Sequence, residues 1–189
     1  MIEIRYAQIR SLDLSNGEGV GVALFVQGCH FHCLNCFNQE TWDFNGGKEW
    51  TEEAKEKFLK LVDRPYIKRI SILGGEPLAE ENLNDVLDLV NEIRLSCLGK
   101  SIWLYTGYTY EGIFDQQFPV ANIPYSNRLD DMYTFSKRKK IISQCKILVD
   151  GQYIETQRDI TLPYRGSSNQ RLIDVKQSLQ KGEIVLWQT

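Results

Sequence analysis

Three cysteines in one short loop, Cys29-His-Phe-His-Cys33-Leu-Asn-Cys36, constrain this chain more than any other stretch. The spacing C-x3-C-x2-C is compact enough to wrap three thiolates around one face of a metal centre. The apolar run Val20 to Val26 delivers the chain to this loop, and Gly28 supplies the tight corner. Soft thiolates select zinc, copper(I) or iron-sulfur clusters. Three ligands are one short of the closed tetrahedron of a structural zinc site. Either a fourth ligand comes from elsewhere or one coordination position stays open. His30 and His32 each abut a cysteine, and adjacent side chains do not easily converge on one ion. Cys97, at the end of an expected helix, and Cys145, at the start of an expected strand, read as small buried hydrophobes. An open position on a 4Fe-4S cluster is the sharper reading. The alternatives are a zinc-stabilised, non-enzymatic binding module and three unrelated thiols.

The totals agree with a reducing setting for such a loop. The chain has 189 residues, 42% of them apolar, with five cysteines and a formal net charge of -3. That length suggests one domain over residues 1–189. The acidic balance argues against a nucleic-acid partner, which asks for a basic footprint. No apolar run approaches the ~20 residues of a membrane span, and Met1-Ile-Glu-Ile-Arg has neither the basic flank nor the apolar core of a signal peptide. A cytoplasmic protein is the expectation. Clustered cysteines fit metal ligation better than a disulfide framework.

Along the chain, Ile2 to Ile9 reads as a strand, and Ser15-Asn-Gly-Glu-Gly19 as a turn before the run that reaches the cysteines. Asn45-Gly-Gly47 marks another turn. Thr51 is placed to cap a helix carrying Ala54, Phe58, Leu61 and Val62, which Pro65 stops. Ile67 to Leu73 is the next strand and runs into Gly74-Gly75-Glu76-Pro77. Leu83, Val86, Leu87, Val90 and Ile93 trace the clearest helix. Ile102 to Thr106 reads as a strand and Tyr110 to Phe118 as a short helix. From about 119 to 144 the pattern dissolves into an expected irregular insertion with room for short helical pieces, and the basic run Lys137-Arg-Lys-Lys140 is read as a solvated face. Cys145 to Val149 is a strand, Arg171 to Gln180 a helix and Ile184 to Trp187 a last strand.

Strands alternating with helices imply an α/β fold with a mostly parallel sheet. There are too few units for an eight-stranded barrel, which takes about 250 residues, so an open partial (β/α) barrel is expected. Ligands in such folds collect at the carboxyl ends of strands, where both the cysteine loop and Gly74-Gly75 fall. Paired glycines after a strand let the backbone approach a ligand. Alone they are as well read as a plain turn, and Glu76 as an acid favoured at a helix start. Tyr105-Thr106-Gly107 is either a strand end or a border for a ribose. Tyr164 to Arg171 packs polar groups around a glycine, and reads as a helix cap or as an anion or peptide clamp.

The cysteine spacing and its setting resemble the radical S-adenosylmethionine superfamily, in which the unligated iron of a 4Fe-4S cluster is chelated by the cofactor's methionine moiety. Gly74-Gly75-Glu76-Pro77 resembles that superfamily's glycine-rich element, whose backbone and acidic residue hold the methionine amino group. Within it, the chain resembles the activating proteins of anaerobic (class III) ribonucleoside-triphosphate reductase. The likeness runs through Leu24-Phe-Val-Gln-Gly-Cys29, Cys36-Phe-Asn, Thr41-Trp42, Leu73-Gly-Gly-Glu-Pro-Leu78, Trp103-Leu-Tyr-Thr-Gly-Tyr108, Leu148-Val-Asp-Gly151 and Tyr164-Arg-Gly-Ser-Ser-Asn-Gln170. It implies that Cys29, Cys33 and Cys36 ligate the cluster. Asn35, Cys36, Phe37, Gly74, Gly75 and Glu76 would then border S-adenosylmethionine. Asn35 departs from the pattern, standing where the family often has glycine and the superfamily often an aromatic. The implied reaction is reductive cleavage of S-adenosylmethionine to a 5'-deoxyadenosyl radical that makes a glycyl radical on the reductase. The electron comes from a low-potential donor such as a flavodoxin, and no general acid or base is needed. The nearest enzymatic alternatives are an activase of another glycyl-radical enzyme, of the formate-lyase type, and a small radical enzyme acting on a purine-like substrate.

Overall fold

The computed structural model describes residues 4–114 and 125–188, the span 125–131 by its backbone alone. Among the described residues seven strands form one sheet in the order β3-β1-β2-β4-β5-β6-β7. They are β1 (Arg5–Asp13), β2 (Gly21–Val26), β3 (Lys48–Glu49), β4 (Arg69–Gly74), β5 (Ser101–Tyr105), β6 (Ile147–Asp150) and β7 (Arg171–Asp174). The central four, β2-β4-β5-β6, run parallel. The flanking β1, β3 and β7 are antiparallel to their neighbours. This is a mixed α/β sheet whose core is parallel, as the alternation of strands and helices predicts.

The helices are α1 (Glu52–Val62), α2 (Leu83–Ser96), α3 (Tyr110–Phe114), α4 (Tyr125–Ser143) and α5 (Val175–Lys181). Thr51 caps α1 by accepting from the Ala54 N–H at 3.2 Å. The parallel strands are buried on both faces, which is why they read as continuous apolar runs. One face packs on the helices: Val22, Leu24 and Val26 of β2, Ile70 and Ile72 of β4, Ile102 and Leu104 of β5 join Phe58, Val86, Val90, Ile93 and Ile142 in the main core. The alternate residues form smaller clusters on the opposite face: Ala23, Phe25 and Leu73 in one, Trp103, Ile147, Val149 and Leu172 in the other. Tyr164 and Trp187 pack edge-on against Trp103, with ring centroids 5.3 and 5.2 Å away. The period of two thus sorts the parallel strands into a helix-facing row and a row on the opposite face.

Three expectations change. Residues 125–143, expected to be irregular, form the long helix α4, while 115–124 and the end of the expected helix Tyr110 to Phe118 lie outside the described residues. The helical period is masked because one of its packed positions is an arginine: Arg138 is 6% exposed, on the same helix as the buried Ile141 and Ile142. The stretch Arg171 to Gln180, read as one helix, divides into β7 and α5. Pairing of Leu172 and Ile173 with Val149 and Leu148 overrides helical propensity, and Asp174 begins α5 by accepting from the Gln177 N–H at 2.9 Å. The expected last strand, Ile184 to Trp187, makes only an isolated bridge between Leu186 and Ile173. Among the described residues no helix is long and apolar enough to cross a membrane.

Candidate active site

The parallel strands end together, and β2 and β4 deliver the two motifs to the same place. Gly28, in the left-handed region at φ 91°, turns the chain out of β2 into the cysteine loop. The Glu76 N–H donates to the Gly28 carbonyl at 2.7 Å, and the Gly75 N–H to Val26 at 2.8 Å. A Cβ on Gly75 would sit against the Gly28 carbonyl well inside van der Waals contact. The pair of glycines is therefore required by close approach of two backbones.

Cys29, Cys33 and Cys36 are all free and half-buried, and all three line one cavity of about 530 Å³. Phe37, Gly74, Gly75 and Glu76 line it too. Burial pushes the Cys29 thiol up to about 11 and raises that of Cys33. Metal binding must displace those protons. Among the described residues no three His, Cys, Asp or Glu side chains converge on one point as a single ion requires. A 4Fe-4S cluster does not ask for that convergence, because each thiolate binds a different iron. The thiols on one wall and the backbone cradle on the next fit such a group.

Asn35 stands apart. Its side chain is exposed and outside the cavity wall, but its backbone lies at φ 55°, a conformation that favours glycine and tolerates asparagine. The departure from glycine at this position is thus conformationally conservative. His32, also left-handed at φ 45°, stacks on Trp42 with ring centroids 4.6 Å apart. His30 pairs with Glu81 at 2.8 Å.

Glu76 is buried, and its carboxylate is gripped by three donors. Leu78 N–H and Thr106 Oγ1 both donate to Oε1 at 2.8 Å, and the Gly107 N–H donates to Oε2 at 2.8 Å. Burial pushes its carboxyl up to about 7, against the pull of these donors and of the Arg138 cation. Thr106 and Gly107, ambiguous in the sequence, thus act as a clamp on Glu76. A Cβ on Gly107 would meet the Phe31 ring at 2.5 Å, so the cysteine loop packs flat on the same turn.

The tail after residue 164 closes the cavity. Arg165 and Gly166 line it, and Phe37 and Tyr153 cover Gly166. Gln170 Oε1 accepts from Gly166 and Ser167 N–H groups at 3.0 and 3.2 Å, and Gln170 Nε2 donates to the Gly151 carbonyl at 3.1 Å. Arg171, expected in a helix, instead pairs with Asp150 and Glu111. Tyr105, read from the sequence as a strand end or a ribose border, and Arg165, in the stretch read as a cap or a clamp, both line the cavity, and among the described residues the Tyr105 hydroxyl and Arg165 Nε are buried without a partner.

Comparison with known proteins agrees with this arrangement. A family model described as a 4Fe-4S single cluster domain matches residues 15–173. Anaerobic ribonucleoside-triphosphate reductase-activating proteins of Vibrio cholerae and Salmonella typhi are 36% and 35% identical to the chain over 169 residues, covering 88% of it and 96% of each relative. The protein of the same name from Enterobacteria phage T4 is 29% identical over 89% of this chain and 93% of its own length. Three thiols and a glycine-built cradle around one cavity, and similarity over nearly the whole length, establish that the chain belongs to the family of anaerobic ribonucleoside-triphosphate reductase-activating proteins.

Proposed function

We propose that this chain activates an anaerobic ribonucleoside-triphosphate reductase by making a glycyl radical on it, with S-adenosylmethionine as the second cofactor beside a 4Fe-4S cluster. The observation that carries the reading is the convergence of Cys29, Cys33 and Cys36 with Gly74, Gly75 and Glu76 on one cavity. Cys29, Cys33 and Cys36 would hold the cluster, and Gly74, Gly75 and Glu76 the methionine end of S-adenosylmethionine. The bound pair would supply one-electron cleavage of the C5'-S bond and, through it, removal of a hydrogen atom from the alpha carbon of one glycine of the reductase.

The chain's own residues bind and orient. Gly74 and Gly75 bring peptide groups to the methionine end without side-chain obstruction. Glu76 Oε1 is filled by two donors and Oε2 by one, so Oε2 keeps a lone pair for an amine N–H. Cys36 and Phe37 border the cofactor on the loop side, with Asn35 shaping the loop that carries them. The two sheet faces, one on helices and one lining the cavity, support an open partial (β/α) barrel of the radical S-adenosylmethionine type, whose open side admits a loop of a protein partner. The setting is the cytoplasm, and a low-potential donor such as a flavodoxin supplies the electron.

Anaerobic reconstitution with iron and sulfide tests this directly. The expected outcome is a brown protein that, with dithionite and S-adenosylmethionine, releases methionine and 5'-deoxyadenosine and generates a glycyl EPR signal in the reductase. A colourless protein with four-ligand zinc, or cleavage without a radical on the reductase but with one on a formate-lyase, overturns it.

A further inference from the structure

Helix α4 carries four cations in a row, and one of them faces inward. Lys140 is exposed, Lys137 reaches Asn84 and the Tyr133 ring, and Lys139 reaches the Phe114 carbonyl. Arg138 alone is buried. A guanidinium taken out of water needs compensation, yet among the described residues it forms no ion pair with a carboxylate. Its Nε donates to the Leu78 carbonyl at 2.9 Å and its Nη2 to the Tyr108 hydroxyl at 3.0 Å, while the guanidinium carbon lies 4.2 Å from the Tyr108 ring centroid.

Both partners lead to one oxygen. Leu78, whose carbonyl takes the Arg138 bond, donates its N–H to Glu76 Oε1 at 2.8 Å. Tyr108, whose hydroxyl takes the other, donates its N–H to Thr106 Oγ1 at 3.1 Å, and Thr106 Oγ1 donates to the same Oε1 at 2.8 Å. The Tyr108 ring also meets Phe31 of the cysteine loop edge-on at 5.0 Å. One cation on a helix behind the sheet thus braces the Gly74–Leu78 turn, the Thr106–Tyr108 turn and the cysteine loop together.

We infer that Arg138 is a positioning residue: from outside the cavity it fixes the turns that orient the Glu76 carboxylate, leaving Oε2 aimed at a ligand amine. The inference rests on the proposed use of Glu76 for the amino group of S-adenosylmethionine. Arg138 does not line the cavity, so its effect passes through Glu76.

The test is equilibrium binding of S-adenosylmethionine to anaerobically reconstituted protein, with iron and sulfide content measured on every sample. Arg138→Met is expected to weaken binding about tenfold, the effect of losing a charged hydrogen-bonding group, at unchanged iron content. Arg138→Lys recovers most of that loss. Tyr108→Phe keeps the ring on Phe31, removes one of the two routes and loses about threefold. Lys140→Met binds as the parent does. The double variant Glu76→Gln with Arg138→Met binds no worse than Glu76→Gln alone, because the two act in series. Parent-like binding by Arg138→Met, losses that multiply in the double variant, or a parallel loss of iron each overturn the inference while leaving the proposed function intact. Failure of the unmodified protein to bind S-adenosylmethionine overturns both.

Discussion

Gly107 donates its backbone N–H to Glu76 Oε2 at 2.8 Å, so the carboxylate at the end of β4 is held by the end of β5. The bond joins adjacent parallel strands beyond the last residue of either, where a ligand meets both. Burial raises the Glu76 carboxyl to about 7, from an ordinary value of 4.5. An ionised carboxylate is the better acceptor for an amine N–H, so the sign follows: the Glu76 contribution to S-adenosylmethionine affinity is flat above about pH 7 and falls as pH drops through it, approaching about tenfold per pH unit below. Cys29 and Cys33 face the same carboxylate, as does the Arg138 cation. Comparing the parent with Glu76→Gln isolates the Glu76 contribution, because the ligand's own amine titrates equally in both. Binding isotherms between pH 6 and 8 should differ in slope for the two proteins, and parallel curves would sink the assignment.

Gly75 is constrained by the backbone opposite it. A methyl there collides with the Gly28 carbonyl, which is itself fixed by the Glu76 N–H at 2.7 Å. No flexible side chain is available to give way, so Gly75→Ala must separate the cysteine loop from the turn. Overpacking of this kind costs about 1–3 kcal/mol. Thermal unfolding of the metal-free protein should show the loss, and reconstitution should yield less cluster per chain.

Arg69 is wholly buried, donating to Asp13 Oδ2 at 2.9 Å, to the Asp13 carbonyl at 2.8 Å and to the Asn16 carbonyl at 2.8 Å. It ties the turn after β1 to the cavity-facing row of β4, and Ser15 and Asn16 of that turn line the cavity. Removing one partner of a buried pair strands the other charge, at a cost of about 3–5 kcal/mol. Asp13→Ala should lose that much in urea unfolding. The paired change Asp13→Leu with Arg69→Met should lose clearly less, since no charge is left uncompensated.

The cysteine loop, the Gly74–Pro77 turn and the parallel core were legible because each is written in local chemistry: thiol spacing, paired glycines, and apolar runs bounded by turn residues. The helix Leu83 to Ile93 was legible through its period, and it extends to Ser96. Helix α4 was not, because its buried face includes Arg138, whose partners lie 60 and 30 residues away at Leu78 and Tyr108. Arg171 misled for a similar reason: its strand exists by pairing with β6 and its charge is met by Asp150 and Glu111. Tyr105 and Arg165 fall in stretches the sequence marks, but that their hydroxyl and Nε are buried without a partner among the described residues is a property of the assembled cavity. Patterns within a few residues announce ligands and elements, whereas buried polar contacts between distant segments do not.

The five cysteines divide by environment, and the division is measurable. Cys29, Cys33 and Cys36 are half-buried on the cavity wall, whereas Cys97 and Cys145 are 3% and 5% exposed within the core that faces the helices. Burial raises the Cys145 thiol to about 12 and also raises that of Cys97, as expected of inert packed thiols. Cys33→Ala removes little packing, so the metal-free protein should melt within a degree or two of the parent, while iron uptake and the visible iron-sulfur absorption are lost. Cys145→Ala should do the reverse. It leaves a small void and loses the contact of Sγ with the Ile141 carbonyl at 3.3 Å, costing about 1 kcal/mol with cluster content unchanged. Loss of iron from Cys145→Ala at an undisturbed melting temperature would mean that the core thiol reaches the metal, and the three-ligand centre would have to be abandoned.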